Sequence, residues 1–416
     1  MRRLRRLGST LLALMMLCGS ALAEADITAA QMQGDLTELC GSLERQHIDL
    51  FAHVTQAEWE AEQQRISDEI PEMTPGRFYY ELRHLVALVG DAHTNVSFTS
   101  NPYRYLTALP FAVAHFSDGW RLLMLEERNR AWLGYELIAI DGVPIEEVFE
   151  RSKGIISHEN DEWVQTQFSN TINFLEALQH LGVTGENADS VTLTVRADAG
   201  SPEEQLIIPA MDEQSIFAAN IASFQPEAVS ETAASGIYRS MALGDDCLFI
   251  QYNSCQESAD MPMRAFADAV GGFLAEGAYA RLIVDLRYNS GGDSSVLWPL
   301  TDVLADCQRY NGLEVYVLIG PNTFSSAIIN AIELRGALGA TLVGQPTGGS
   351  VNAYGEILSF PLPHMPLSVS YSTKYFEMAP GYPEGEPPYP DVTVEPAFGD
   401  YRAGRDAAVE AVLALD

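Results

Sequence analysis

Between Cys247 and Gly344 short apolar runs alternate with stretches of helical spacing, and this alternation narrows the fold more than any other feature. Cys247-Leu248-Phe249-Ile250-Gln251-Tyr252 reads as a strand. Leu282-Ile283-Val284-Asp285-Leu286 is apolar almost without a break, the mark of a strand covered on both faces. Val315 to Ile319 and Thr341 to Gly344 repeat the pattern. Met263 to Leu274, Ser295 to Leu304 and Ser325 to Leu338 read as helices, and Arg405 to Leu415 as one more. Strands alternating with helices predict an α/β layer architecture around a largely parallel sheet.

The remainder of the 416 residues reads as two further regions, consistent with roughly 100–200 residues per domain. From Ile27 to Gly90 the pattern is helical. Leu36, Leu39, Leu43 and His47 recur at one spacing, Phe78, Leu82, Leu85, Val86 and Val89 at another. Thr74-Pro75 offers a cap followed by a proline that the first helical turn tolerates. From about Tyr105 to Asp212, Trp120 to Leu125 and Val191 to Val195 read as strands. Glu136 to Ile145 resembles the part of a PDZ domain where a strand leads through a turn into a helix. A plain β-rich insert fits the same residues.

The first residues are not part of that fold. Four arginines within Met1 to Arg6, an apolar run from Thr10 to Leu17 and Ala21-Leu22-Ala23 form the three parts of a signal peptide over residues 1–23. The run is too short to span a bilayer. Cys18 follows Met16 and Leu17, which are larger than a lipoprotein cleavage site usually accepts. The expected mature chain starts near Glu24, is exported, and has no stable membrane span. Cleavage removes four arginines and no acid, taking the formal charge from −33 to −37. Such a surface repels nucleic acid and anionic lipid, both of which are bound through Lys and Arg. Cys40, Cys247, Cys255 and Cys307 then remain; none forms a C-x-x-C pair, and their disulfide pairing is open.

Three segments carry chemistry. Asn322-Thr323-Phe324-Ser325-Ser326-Ala327 follows a strand and opens a helix, where unpaired N–H groups and a positive dipole end favour an oxyanion. Ser325 there fits a nucleophile, and it equally fits a helix cap, as do Thr323 and Ser326. Arg287-Tyr288-Asn289-Ser290-Gly291-Gly292 leaves the preceding strand. Its two glycines permit a sharp turn and close approach to a ligand, or form an ordinary strand-to-helix turn. Gly90-Asp91-Ala92-His93-Thr94 closes a helix and projects a histidine suited by its chemistry to act as general base, or to serve structurally.

Together these segments resemble the tail-specific, or carboxy-terminal processing, protease superfamily. The resemblance rests on the segment ending at Gly292 and the T-F-S-S-A around Ser325. It continues through V-G-Q-P-T-G-G at Val343 to Gly349 and Y-P-E-G-E-P-P-Y-P-D-V at Tyr382 to Val392. It implies a crotonase-like (ββα) α/β protease core over 236–416, with a helical domain over 24–100 that contributes His93 and a β-rich or PDZ-like region over 101–212. Processing proteases of this superfamily carry a lysine base at the position of Ser350 here, and often a glutamine at that of Tyr354. The only lysines of this chain are Lys153 and Lys374. The resemblance is therefore to the tricorn-like branch, with its early histidine and late glutamate.

It implies a serine peptidase with Ser325 as nucleophile, His93 as base and Glu384 as the acid that holds the imidazole. Ser326 and Gly291 or Gly292 would bind the oxyanion through their N–H groups. Glu386 and Asp91 are the other acid candidates. No metal or cofactor is implied. The partner is a peptide or protein substrate, able to add along a sheet edge. The alternative is a non-catalytic protein on the same fold that binds peptides or hydrophobic ligands.

Overall fold

The computed structural model describes residues 27–277 and 279–415. The expected signal peptide, with Cys18, lies outside these residues.

Three helices open the described chain: Ala29–Gln46, Gln56–Glu69 and Pro75–Ala87. Each starts on a threonine whose hydroxyl accepts a backbone N–H of the first turn, Thr28, Thr55 and Thr74, the last with Pro75 behind it. Leu36, Leu39, Leu43, Phe78, Leu82, Leu85 and Val86 are fully buried, as their spacing predicts. The core they form is completed from far along the chain by Leu367, Val369 and Tyr371. These belong to a long hairpin, Asn352–Pro361 and Leu367–Glu377, which pairs antiparallel with Asn95–Phe98 to make a three-stranded sheet. The sequence reading did not find this hairpin.

The middle region is an antiparallel sheet built on Phe111–Phe116, Gly119–Glu126, Glu136–Ile140, Ser190–Arg196 and Glu204–Pro209. Strand Glu136–Ile140, turn and helix Ile145–Ser152 follow in the predicted order. Helices Ile145–Ser152 and Asp161–Ile172 cover one face through Val148, Phe168 and Ile172.

The third region is the α/β layer read from sequence. Its sheet runs Val392–Thr393, Thr341–Gly344, Glu314–Ile319, Arg281–Asp285, Cys247–Tyr252 and Tyr238–Leu243. All neighbours are parallel except the last pair. Successive side chains on a strand face opposite ways. Leu248, Ile250 and Tyr252 thus meet the helices Met263–Glu276, Trp298–Asn311 and Ser326–Leu338, while Cys247 and Phe249 meet the helix Ala407–Leu413. Burial on both faces explains the continuous apolar runs. Arg287 fastens this last helix to the sheet, its guanidinium bonded to Asp285 and Asp406 at 2.8–2.9 Å. The four cysteines Cys40, Cys247, Cys255 and Cys307 are free thiols. No described helix is long and apolar enough to cross a membrane.

Candidate active site

The site lies beyond the carboxyl ends of two central strands, where open α/β sheets place their ligands. After Glu314–Ile319 the chain turns through Gly320 to Phe324. The Thr323 hydroxyl ties that turn down, accepting the Gly320 N–H at 3.0 Å and donating to the Leu286 carbonyl at 2.9 Å. Ser325 then stands immediately before the helix Ser326–Leu338, with φ 54° and ψ −126°. A non-glycine residue held there carries strain of about 1–3 kcal/mol, an outlier typical of functional positions. Its hydroxyl makes no cap bond to the helix. The capping role is thus vacant, and the Oγ is left free at a helix N-terminus.

The loop after Arg281–Asp285 packs against this turn. The Asn289 side chain is buried; its Nδ2 donates to the Tyr252 carbonyl at 3.0 Å and its Oδ1 accepts the Gly291 N–H at 2.9 Å. Gly291 therefore has its N–H committed. The Gly292 and Ser326 N–H groups have no acceptor among the described residues. The Ser326 hydroxyl donates to the Gly292 carbonyl at 2.6 Å, binding one loop to the other. Both glycines are required here. A Cβ on Gly291 (φ 106°) would sit 2.8 Å from the Ser325 Cβ, and one on Gly292 (φ 134°) 2.4 Å from the Cys255 carbonyl oxygen.

His93 arrives from the loop after Pro75–Ala87. Its ring stacks on Phe324, centroids 4.6 Å apart, and Phe324 stacks on Trp163 at 3.9 Å. Each such pair contributes about 0.5–1.5 kcal/mol beyond area burial. The residue preceding Ser325 thus also sets the plane of the imidazole. The His93 carbonyl accepts the Ser370 hydroxyl at 2.8 Å, and its N–H donates to Asp91 Oδ1 at 2.9 Å. His93 is 7% exposed, yet neither ring nitrogen has a hydrogen-bond partner among the described residues.

Asp91 is fully buried. Its Oδ2 accepts the Thr94 hydroxyl at 2.5 Å, the Ser372 hydroxyl at 2.6 Å and His47 Nε2 at 3.2 Å. His47 Nδ1 accepts the Asp49 N–H at 3.1 Å, which leaves Nε2 as the protonated nitrogen facing Asp91. Burial raises the Asp91 carboxyl, but the bonds from His47 and Ser372 and the nearby His93 charge outweigh it and hold the group well below the usual range. Asp91 Oδ1 lies 3.7 Å from His93 Nδ1, too far for a hydrogen bond.

The acids expected from the late loop lie elsewhere. Gly385, at φ 76°, turns the chain between them. Glu384 has a side chain 67% exposed, with its Oε1 3.6 Å from His53 Nε2. Glu386 accepts the Tyr389 hydroxyl. No ion pair joins either acid to His93. The second carboxyl near His93 is Glu159, from the loop before helix Asp161–Ile172. One donor atom each from Asp91, His93 and Glu159 lies within 4.8 Å of the others. Ligands around a tetrahedral zinc would stand closer, roughly 3.4 Å apart at bond lengths of about 2.0–2.1 Å. Burial pushes the Glu159 carboxyl up to about 7; His93 and the Ser350 N–H pull it down, and the Asp91 charge adds to the rise. Nothing in Ser157-His158-Glu159-Asn160 marked this residue in the sequence.

Ser325, Ser326, Gly292, His93 and Glu159 line one cavity of about 330 Å3, with Ile328, Ile329, Phe376 and Met378 as its apolar wall. A neighbouring cavity of about 420 Å3 holds His53 and Glu384 and shares Glu159, Ser350, Ala353 and Tyr354 with the first. Ser350 donates its N–H to Glu159 Oε2 at 2.9 Å. Neither lysine lines either cavity: Lys153 pairs with Glu150 and Asp161, and Lys374 lies over the Phe376 ring at 4.2 Å.

Among solved structures, mature CPAF complexed with lactacystin is similar to this chain, with a TM-score of 0.64 at 15% identity over 92% of this chain and 97% of that one. The fold is shared with CPAF. Mature CPAF alone gives a TM-score of 0.62 at 14% identity, covering 92% of this chain and 96% of CPAF. Comparison of the sequence with protein-family models and with curated proteins gives no match. The likeness to CPAF runs the length of both chains, so the helical region, the middle sheet and the α/β layer are parts of one shared architecture.

Proposed function

We propose that this chain is an exported serine peptidase. Ser325 Oγ attacks the peptide carbonyl carbon while His93 takes its proton. The Ser326 and Gly292 N–H groups receive the oxyanion. The His93 cation then protonates the leaving amine, and water, deprotonated by the same imidazole, releases the acyl group from Ser325. A carboxylate behind the imidazole supports its cationic form.

One observation carries this reading. A strained, uncapped serine hydroxyl at a helix start shares a cavity with two unengaged N–H groups and a buried imidazole whose nitrogens have no partner. Buried polar groups left unpaired cost about 1–3 kcal/mol each, which a purely structural site would relieve. The strand Asn352–Pro361 is an edge of its sheet, and Ala353 to Ile357 line the cavity. An extended substrate pairing with that edge would pass Ser325. Export rests on the amino-terminal sequence.

The test is cleavage of a mixed peptide library followed by mass spectrometry. The wild-type protein should generate a reproducible set of new termini. Ser325→Ala and His93→Gln should generate none while unfolding as cooperatively as wild type. Equal cleavage by Ser325→Ala would end the proposal.

A further inference from the structure

We infer that Glu159, and not the late-loop Glu384, is the carboxylate that positions the His93 imidazole and balances its charge, an inference that rests on the Ser325–His93 reading above. The two acids differ in surroundings. Glu384 is largely exposed and directed at His53. Glu159 Oε1 is inaccessible to water and without a partner, like both nitrogens of the His93 ring. Both side chains thus carry unpaired buried atoms, and one donor atom of each lies within 4.8 Å of the other.

The rest of Glu159 is fixed. The Ser350 N–H holds Oε2 at 2.9 Å, and the turn at Gly385 closes on its main chain, where a Cβ would lie 3.3 Å from the Glu159 carbonyl oxygen. Asp91 is less suited to follow the imidazole through a proton cycle. Its Oδ2 is bound by His47, Thr94 and Ser372 and its Oδ1 by the His93 N–H, so it sets the loop and its charge stays put. A carboxyl at this point also answers the absence of lysine. In this chain the Ser350 position offers an N–H to an acid that serves a histidine.

The ionisable groups facing Glu159 are His93 and Asp91 from the loop after Pro75–Ala87, His158 from its own loop, and His53, Tyr354, Tyr375 and Glu384 across the shared cavity. The Asp91 charge opposes its ionisation, and the His93 cation favours it. Glu159 gains its charge as pH rises. Raised to about 7 by burial, the carboxyl completes this change near neutrality.

The experiment compares wild type, Glu159→Gln, Glu159→Asp and Glu384→Gln. It follows the second-order rate of labelling by a fluorophosphonate from pH 5 to 9, with kcat and KM on one peptide that the wild type cleaves. Glu159→Gln should lose roughly 10²–10⁴-fold in kcat with KM little changed, the scale on which a triad acid acts through its histidine. Its rising pH limb should move to lower pH, because the imidazolium has lost its partner. Glu159→Asp, which keeps the charge, should recover part of the rate, and a structural role for the carboxyl would move no pH limb. Glu384→Gln should fall by no more than a few fold. A large loss in Glu384→Gln with Glu159→Gln near wild type would overturn the assignment in favour of the late-loop acid. Near-wild-type behaviour of both would overturn any carboxylate partner among the two. Failure of the wild type to label at Ser325 would instead refute the peptidase reading.

Discussion

Replacing Gly292 by alanine places one methyl group where the structure has no room for it. Its Cβ would lie 2.4 Å from the Cys255 carbonyl oxygen and 3.0 Å from the carbonyl carbon. Neither side can yield freely. The Cys255 oxygen accepts the Asp293 N–H at 2.8 Å, and the Cys255 N–H donates to the Gly291 carbonyl at 3.0 Å. The backbone itself, at φ 134°, is one that alanine adopts only under strain of about 1–3 kcal/mol. Breaking the two flanking hydrogen bonds would add about 1 kcal/mol each. A loss of roughly 3–5 kcal/mol in unfolding free energy follows, read by urea denaturation. Whichever bond gives way, the Gly292 N–H shifts in the cavity that it lines with Ser325. Loss of one oxyanion donor costs about 10²–10³ in kcat. Fluorophosphonate labelling should slow by a similar factor at saturating denaturant-free conditions, where the variant is still folded. Wild-type kcat in a folded Gly292→Ala protein would refute the oxyanion role and the geometry on which it rests.

Ser325→Gly should be inactive yet unfold at higher denaturant, by up to about 1 kcal/mol, because glycine relieves the positive φ without removing any cap bond. Asp406→Ala removes two of the hydrogen bonds to Arg287, which stays paired with Asp285, and should cost about 3–6 kcal/mol by urea denaturation, at roughly 1.5–3 kcal/mol for each charged hydrogen bond. Lys153→Met and Lys374→Met should each retain turnover within a factor of about two, the lysines lying outside the cavity. Glu159 gives a pH signature in stability. Its folded-state carboxyl is raised from 4.5 to about 7, so the fold binds that proton more tightly than the unfolded chain does. Its contribution is fully present below the unfolded value and is lost as pH rises through about 7. In Glu159→Gln the stability difference from wild type should therefore grow in the mutant's favour between those limits, by roughly 1–3 kcal/mol. The ionised form that assists the imidazole is thus held at the expense of the fold.

The α/β layer was legible because its strands are buried on both faces, so Val315 to Ile319 and, apart from Asp285, Leu282 to Leu286 had to be apolar. The loops of the site were legible for a related reason. A serine and a glycine pair stood at strand-to-helix junctions, where backbone N–H groups are free. The long hairpin was not legible. Leu367, Val369 and Tyr371 do alternate with serines, but in the other strand Ile357 and Leu358 face solvent side by side, and the partner strand Asn95–Phe98 is more than 250 residues away. Glu159 was missed for the same reason. Its Oε2 is held by the N–H of Ser350, 191 residues later. Spacing to Asp391 selected Glu384 because that register is local, whereas the surroundings of His93 are assembled from segments distant in sequence.

The account stands on Ser325 being a nucleophile activated by His93. The direct measurement is labelling of the purified protein with a fluorophosphonate, followed by peptide mapping. One modified peptide carrying Ser325 is expected, with labelling abolished in Ser325→Ala and slowed at least 10³-fold in His93→Gln, the scale on which loss of a base acts. Label on another serine, or equal labelling in His93→Gln, would contradict it.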